Sequence, residues 1–183
     1  MADPVNYAQV QEMMDVEQYT DWVITQICIA NTDPANIRFF KAGDGKWTWI
    51  LYDTDLGFRK RYEDTVSSLL YQDGAHLLPT VLAISLLDYP DFREFFLTRF
   101  AWHLENIWNE ENIIARVDEI EALIGPDMVK DCARWGRFTP AGWHNEVEVL
   151  RNFAIVRKDA VTAYVMDYFD LTPEQMRAYG FDV

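Results

Sequence analysis

Residues 37–41 and 47–52 are two β-rich runs, and nothing else in this 183-residue chain reads as strand. Between them stand Ala42-Gly43-Asp44-Gly45-Lys46. Two glycines and an aspartate between aromatic runs are hairpin chemistry, because such turns need residues that tolerate left-handed backbone. One hairpin is therefore the whole expected sheet, and everything around it must be helical.

Apolar spacing supports that division. Residues 8–14 and 16–30 carry helix-like periodicity, with Val16, Tyr19, Val23, Ile27 and Ala30 at three- and four-residue steps. Asn31-Thr32-Asp33-Pro34 then stops the helix, since proline disfavours helical backbone in the residue before it. From Val66 onward the pattern is helical throughout. Residues 77–87 carry Pro79 in what would be a first turn, and residues 91–108 follow Pro90 with Phe92, Phe95, Phe96, Phe100 and Leu104. Residues 110–124 place Ile113, Ile114, Val117, Ile120 and Leu123 on one face, with Gly125-Pro126 expected to close the helix. Further helices are expected over 127–135, 143–169 and 172–179, the last capped by Thr172 with Pro173 behind it. No internal repeat or low-complexity linker divides the chain, so residues 1–183 read as a single domain. Eleven Phe, nine Tyr and seven Trp supply ample core, which excludes disorder.

Thirty acidic against sixteen basic residues leave a formal net charge of −14. That field repels phosphate backbones, so general nucleic-acid binding is not expected, whereas cations and basic protein segments are favoured. No apolar run approaches a membrane span, and no signal peptide opens the chain. Cys28 and Cys132 make no disulfide framework, and Cys28 in its apolar run should behave as a small buried hydrophobe.

Chemistry concentrates where the chain enters and leaves the hairpin. In Trp49-Ile50-Leu51-Tyr52-Asp53-Thr54-Asp55-Leu56-Gly57-Phe58 an apolar strand runs out into two carboxylates. Residues at i and i+2 share one side of a strand, so Asp53 and Asp55 face one cavity if strand geometry persists. Two close carboxylates repel unless a cation lies between them, and a hard, oxygen-preferring cation is the usual answer. Such a pair also arises as a strand cap or a solvated turn. The second cluster, Asn31-x-Asp33-x-x-Asn36, leads into the first strand, and its bland reading is a helix-end Asx-turn. The hairpin nevertheless brings the start of one strand beside the end of the other, so Asp33 and Asn36 should meet Asp53 and Asp55. A carboxylate, an amide and a carboxylate pair suit phosphoryl transfer, where one group orients a hydroxyl and the others hold Mg²⁺ on phosphates.

These segments, in their order and spacing, resemble the CotH (spore coat protein H-like) family of atypical protein kinases. The likeness rests on Asn31-x-Asp33-x-x-Asn36, Gly45-Lys46-Trp47 and Tyr52-Asp53-x-Asp55-x-Gly57-Phe58. It continues through Pro90-x-Phe92-Arg93, Arg134-Trp135, Trp143 and Leu150-Arg151-x-Phe153-x-x-x-Arg157, covering about residues 8–170. The resemblance implies the C-terminal-lobe part of a kinase-like fold, ATP with Mg²⁺ or Mn²⁺, and transfer of the γ-phosphate to protein Ser/Thr hydroxyls. It implies Asp33 as the catalytic base, Asn36 as a metal ligand, and Asp53 or Asp55 as the metal-binding aspartate. Asp55-Leu56-Gly57 looks like a DFG motif, but Asp53 is the one that directly follows the strand, so both stay open.

Two departures accompany it. The aspartate-to-asparagine interval is two residues shorter than the ordinary kinase D-x-x-x-x-N. Only about thirty residues precede Asp33, too few for a nucleotide-covering lobe, so the chain reads as a fragment of a longer parent, with Met1 expected to be an artificial start. By itself it should turn over little and bind no ATP, and the uncovered face should be apolar and invite a homodimer. The resemblance also suggests a cell-envelope or extracellular setting. The rival reading is a non-catalytic surface module that binds a protein or a glycan. His76, His103 and His144 share no ligand spacing and read as surface or core-edge histidines. Arg134, Trp135, Trp143 and Arg157 read as a buried buttress beneath the site, with a carbohydrate-stacking platform as the alternative. Arg59, Lys60 and Arg61 read as solvated charges.

Overall fold

The computed structural model describes residues 3–33, 36–70 and 78–183, the last stretch with side chains from residue 81. Met1, Pro34, His76 and Leu77, each singled out in the sequence, lie outside the described residues.

Helix α2 (Val16–Cys28) is the axis of the core. Its N-terminus is capped by the Asp15 carboxylate, which accepts from Gln18 N at 3.1 Å. Tyr19, Trp22, Val23, Ile24 and Ile27 are all buried, so this helix is packed on several sides rather than along one stripe. Helix α1 (Pro4–Met13) precedes it, longer at its start than the apolar spacing suggested. The reason is local: Asp3 caps Val5 N and Pro4 occupies the first helical position.

The hairpin consists of β1 (Arg38–Phe40) and β2 (Thr48–Ile50), antiparallel, with Arg38 opposite Ile50, Phe39 opposite Trp49 and Phe40 opposite Thr48. An isolated two-stranded ribbon is marginal in water, and this one is tied down along β2. Trp47 exchanges backbone hydrogen bonds with the α1–α2 link, donating to Met13 O and accepting from Asp15 N, both at 3.0 Å. The Gln18 side chain then acts as a piece of strand, accepting from Trp49 N at 2.8 Å and donating to Trp49 O at 2.7 Å. Trp22 Nε1 donates to Ile50 O at 3.2 Å. The hairpin thus sits on α2 through polar contacts, with the Trp49 ring against Tyr19.

After the hairpin come α3 (Thr65–Leu70), α4 (Leu78–Leu87), α5 (Pro90–Asn106), α6 (Glu110–Trp135), α7 (Pro140–Tyr168) and α8 (Pro173–Tyr179). Helices α3, α5, α7 and α8 contribute Leu70, Phe96, Phe100, Val161, Val165 and Met176 to the cluster that encloses α2. A polar link accompanies this packing: Arg99 on α5 forms a bidentate pair with Asp21 on α2, both bonds 2.7 Å. His103 Nε2 joins the same carboxylate at 2.8 Å. Burial alone would raise the Asp21 pKa, but Arg99 and His103 outweigh it and hold the carboxyl below the usual range.

Helix α6 corrects one sequence expectation, for it passes through Gly125-Pro126 without stopping. An interior proline removes a helix hydrogen bond and costs about 3 kcal/mol in a helix standing alone. Here α6 is clamped along its length to α7. Arg151 on α7 binds Asp118 at 2.6 Å and also Glu121, both on α6, while His144 Nδ1 meets Glu121 at 2.8 Å. Beside Gly125 the Trp143 ring of α7 packs at van der Waals distance, 3.6 Å from where a Cβ would stand. Tertiary contact overrides the local breaker. Both cysteines are free and buried, as expected of small apolar side chains. Among the described residues no helix is long and apolar enough to cross a membrane.

Arg157 on α7 is buried to 2 % exposure and uses its guanidinium entirely on oxygen atoms of other segments. Nε donates to Cys28 O at 3.0 Å and Nη2 to Ile27 O at 2.6 Å, at the end of α2, where Ile27 O also accepts from Ala30 N at 3.1 Å and Thr65 Oγ1 at 2.8 Å. Nη1 donates to Glu63 O at 2.8 Å and Arg61 O at 3.2 Å, and Nη2 also to Thr65 Oγ1 at 2.7 Å. Burial depresses the Arg157 pKa, yet the group stays cationic because its ordinary value is so high. Replacing it by Met (Arg157→Met) removes the Arg157 donors from Cys28 O and Arg61 O, whereas Ile27 O keeps Ala30 N and Glu63 O keeps Thr65 N. Urea unfolding should show a loss of about 3–5 kcal/mol, with Arg157→Lys recovering only a minor part because an ammonium lacks the planar fork.

Candidate functional site

Two loops make the site, and both are anchored to the C-terminal end of α2. Ala30 turns left-handed (φ 54°) to leave the helix. Asn31, only 2 % exposed, is fixed by donating from Nδ2 to Gln26 Oε1 at 2.6 Å. Its Oδ1 accepts from Asp33 N at 3.0 Å, an Asx-turn that aims the following residues at the hairpin. The bland reading of Asn31 is correct, and this turn is what positions Asp33.

The second loop returns to the same place. Phe58 N donates to Ile29 O at 2.7 Å, and Gly57 N closes a tight turn on Thr54 O at 3.0 Å. Gly57 is required here by close approach and not by positive φ: a Cβ would lie 3.0 Å from Thr54 O and 3.2 Å from Ile29 O. Phe58, itself left-handed at φ 61°, packs its ring against Phe153, centroids 5.1 Å apart. It also lines an apolar cavity of about 390 Å³ with Trp108 and Leu150.

Between these anchors Asp33, Asn36 and Asp53 come together. Asn36 Nδ2 donates to Asp33 Oδ2 at 3.1 Å and to Asp53 Oδ2 at 2.8 Å, one amide bridging carboxylates 20 residues apart in sequence. Hairpin register explains the meeting, since Asn36 and Asp53 stand just outside the Arg38–Ile50 pair. Asp53 has φ 53°, a left-handed backbone that Asp tolerates better than most residues.

Asp55 is not part of this bridge. The expectation that Asp53 and Asp55 share one strand face fails because β2 ends at Ile50 and Asp53 breaks the alternation. Asp55 is exposed and no hydrogen bond or ion pair joins it to Asp33, Asn36 or Asp53. The pull of Phe58 onto Ile29 O carries this part of the chain back toward α2.

Among the described residues no group of three or more His, Cys, Asp or Glu side chains is close enough to hold a metal ion. What the bridge offers is two carboxylates and an amide, an all-oxygen donor set once the Asn36 amide turns over to present Oδ1. That chemistry fits a Mg²⁺-type cation, which takes one or two protein carboxylates and fills its remaining positions with water and phosphate oxygens.

The other singled-out residues divide. His103 and His144 pair with Asp21 and Glu121, consistent with structural roles. Arg59, Lys60 and Arg61 are exposed, Lys60 facing Glu63 at 3.7 Å. Of the expected buttress only Arg157 is buried; Trp143 is half-buried, and Trp135 is 63 % exposed with Arg134 stacked on its ring at 4.9 Å. The correction follows from the uninterrupted α6, which carries Arg134 and Trp135 to its far end. Gln18 and Trp22, which seat the hairpin, escaped sequence reading because their partners are backbone atoms 28–31 residues away.

Substituting Gly57 by Ala should force the loop off Ile29 by a few tenths of an ångström. Urea melts should show a loss of about 1–3 kcal/mol, and amide NMR shifts should move at Asp53 and Asn36 as well as at Phe58.

Comparison with curated proteins and with solved structures gives no match. The family model described as CotH kinase protein matches residues 3–161. That span takes in both loops, the hairpin and Arg157, and the chain belongs to the CotH kinase protein family.

Proposed function

We propose that the chain supplies the catalytic and metal-binding half of a site that transfers the γ-phosphate of ATP to Ser/Thr hydroxyls of a protein substrate, within a longer parent. The observation that supports this most is the Asn36 bridge, which gathers Asp33 and Asp53 from the two sides of the hairpin's open end. In this reading Asp33, fixed by its Asx-turn, accepts the proton of the attacking hydroxyl. Asn36 and Asp53 hold the Mg²⁺ or Mn²⁺ on the phosphates, and the cation supplies charge neutralisation there. Asp55, outside the bridge, is assigned at most a water-mediated role at the metal.

The test is transfer from labelled ATP by the parent protein. Asp33→Ala and Asp53→Ala should each reduce incorporation by roughly 100-fold or more, with Asp55→Ala reducing it less. Equal incorporation in all of them would remove the proposal. Residues 1–183 alone should show little turnover, because positioning of the phosphates supplies much of the rate in this chemistry.

The hairpin also leaves Phe39, Phe40, Ile50, Leu51 and Tyr52 exposed around the bridge. A clustered apolar surface of this kind favours association, and we assign it to a homodimer contact in the isolated chain. Light scattering should give a dimer mass at micromolar concentration, reverting to monomer in a Phe39→Asp, Ile50→Lys variant.

A further inference from the structure

The far end of the α6–α7 pair carries a group of side chains that the phosphoryl-transfer reading does not use. Asp131 and Trp135 lie four residues apart on α6 and so occupy one face of the helix, a turn from each other. Gly136 (φ 63°) then reverses the chain in a left-handed cap and brings Arg137 alongside. The three line an open concavity of about 300 Å³. The base of α6 meets the Phe58 cavity through Ile113 and Val117. A 26-residue helix spans about 39 Å, so the tip is remote from the Asp33–Asn36–Asp53 bridge.

The side chains that line this concavity are exposed. Trp135 is 63 % exposed, and Arg134 stacks on its ring 4.9 Å from the centroid. Asp131 and Arg137 are exposed, and neither makes a hydrogen bond or ion pair with any described residue. Several other charges along the pair are engaged: Lys130 binds Asp127 at 2.8 Å, and Arg151 holds Asp118 and Glu148. An unpaired acceptor and an unpaired donor thus flank one exposed aromatic plate.

We propose that this tip is a carbohydrate-binding site for a neutral pyranose unit of a glycan. A pyranose has one face made largely of C–H groups, which stacks on an indole, and hydroxyls around its rim, which both donate and accept. Trp135 takes the C–H face, Asp131 accepts from a hydroxyl, and Arg137 donates to a neighbouring one. The Arg134 guanidinium holds the indole in a fixed orientation. A purely anionic ligand fits less well, because Asp131 stands on the rim and Lys130 is already neutralised. An apolar peptide would leave Asp131 and Arg137 without partners.

The experiment uses the whole chain and three soluble neutral probes, cellohexaose, laminarihexaose and chitohexaose, titrated by NMR and by tryptophan fluorescence. At least one should bind with shifts confined to residues near Asp131, Trp135 and Arg137. Trp135→Ala and Asp131→Ala should each weaken that binding at least tenfold, whereas Trp135→Phe retains most of it. Trp102→Ala, an exposed tryptophan on α5, should leave it unchanged, and melting temperatures should match the wild type throughout. The proposal is overturned if none of the probes binds at millimolar concentration, or if Trp135→Ala binds as the wild type does. Preferential binding of polyphosphate or of anionic phosphatidylserine vesicles that survives Asp131→Ala would overturn it in favour of an anion site. None of these outcomes depends on phosphate transfer.

Discussion

Arg157 is the interaction on which the rest of the molecule depends. A helix end presents carbonyls that have no intrahelical partners, and the end of α2 is buried where water cannot serve them. One guanidinium from α7 satisfies Ile27 and Cys28, and its remaining donors take Arg61, Glu63 and Thr65 from the segment that enters α3. No carboxylate hydrogen-bonds to it in those contacts; the Asp64 and Glu63 carboxylates act on its charge only through space. The arrangement fixes three pieces of chain against one another at a single point. Immediately beyond that point, Ile29, Asn31 and Asp33 leave the helix.

The candidate site inherits its order from this anchor. Asn31 is locked to Gln26, Phe58 to Ile29, and the hairpin to Gln18 and Trp22, all of them on or next to α2. Side chains that are themselves exposed, Asn36 and Asp53, therefore meet at hydrogen-bond distance without being buried. Exposure leaves them accessible to a substrate, and rigidity comes from backbone anchored elsewhere. The membership in the CotH kinase protein family covers this whole anchored region and stops within α7 at residue 161.

Helices α6 and α7 obey a different logic. Apart from Ile113 and Cys132, α6 buries no residue completely, and its stability derives from ion pairs and apolar contact with α7. Such a pair can carry side chains far from the core without disturbing it. The same construction lets Gly125 and Pro126 persist inside a helix, since the neighbouring Trp143 and Arg151 supply what the local sequence withholds.

Much of the architecture was legible in the sequence because it depends on local chemistry. Residue spacing marked the helices, and Gly43 with Gly45 marked the hairpin. Thr172-Pro173 marked the last helix start, confirmed by a complete capping box with Gln175. Hairpin topology also foretold that Asp33 and Asn36 would meet Asp53, since pairing of strands dictates which ends adjoin. What the sequence could not decide were contacts whose partners are backbone atoms or distant rings. Asp55 stays outside the bridge because β2 ends at Ile50 and Asp53 turns left-handed, which no spacing rule contains. Pro126 was retained in α6 by α7, so a local stop signal lost to packing. Trp135 and Arg157 read alike as aromatic and guanidinium core, yet α6 carried one into solvent and α7 buried the other. Local propensities depend only on neighbours in the chain, whereas burial and partner choice depend on where the whole fold places each residue.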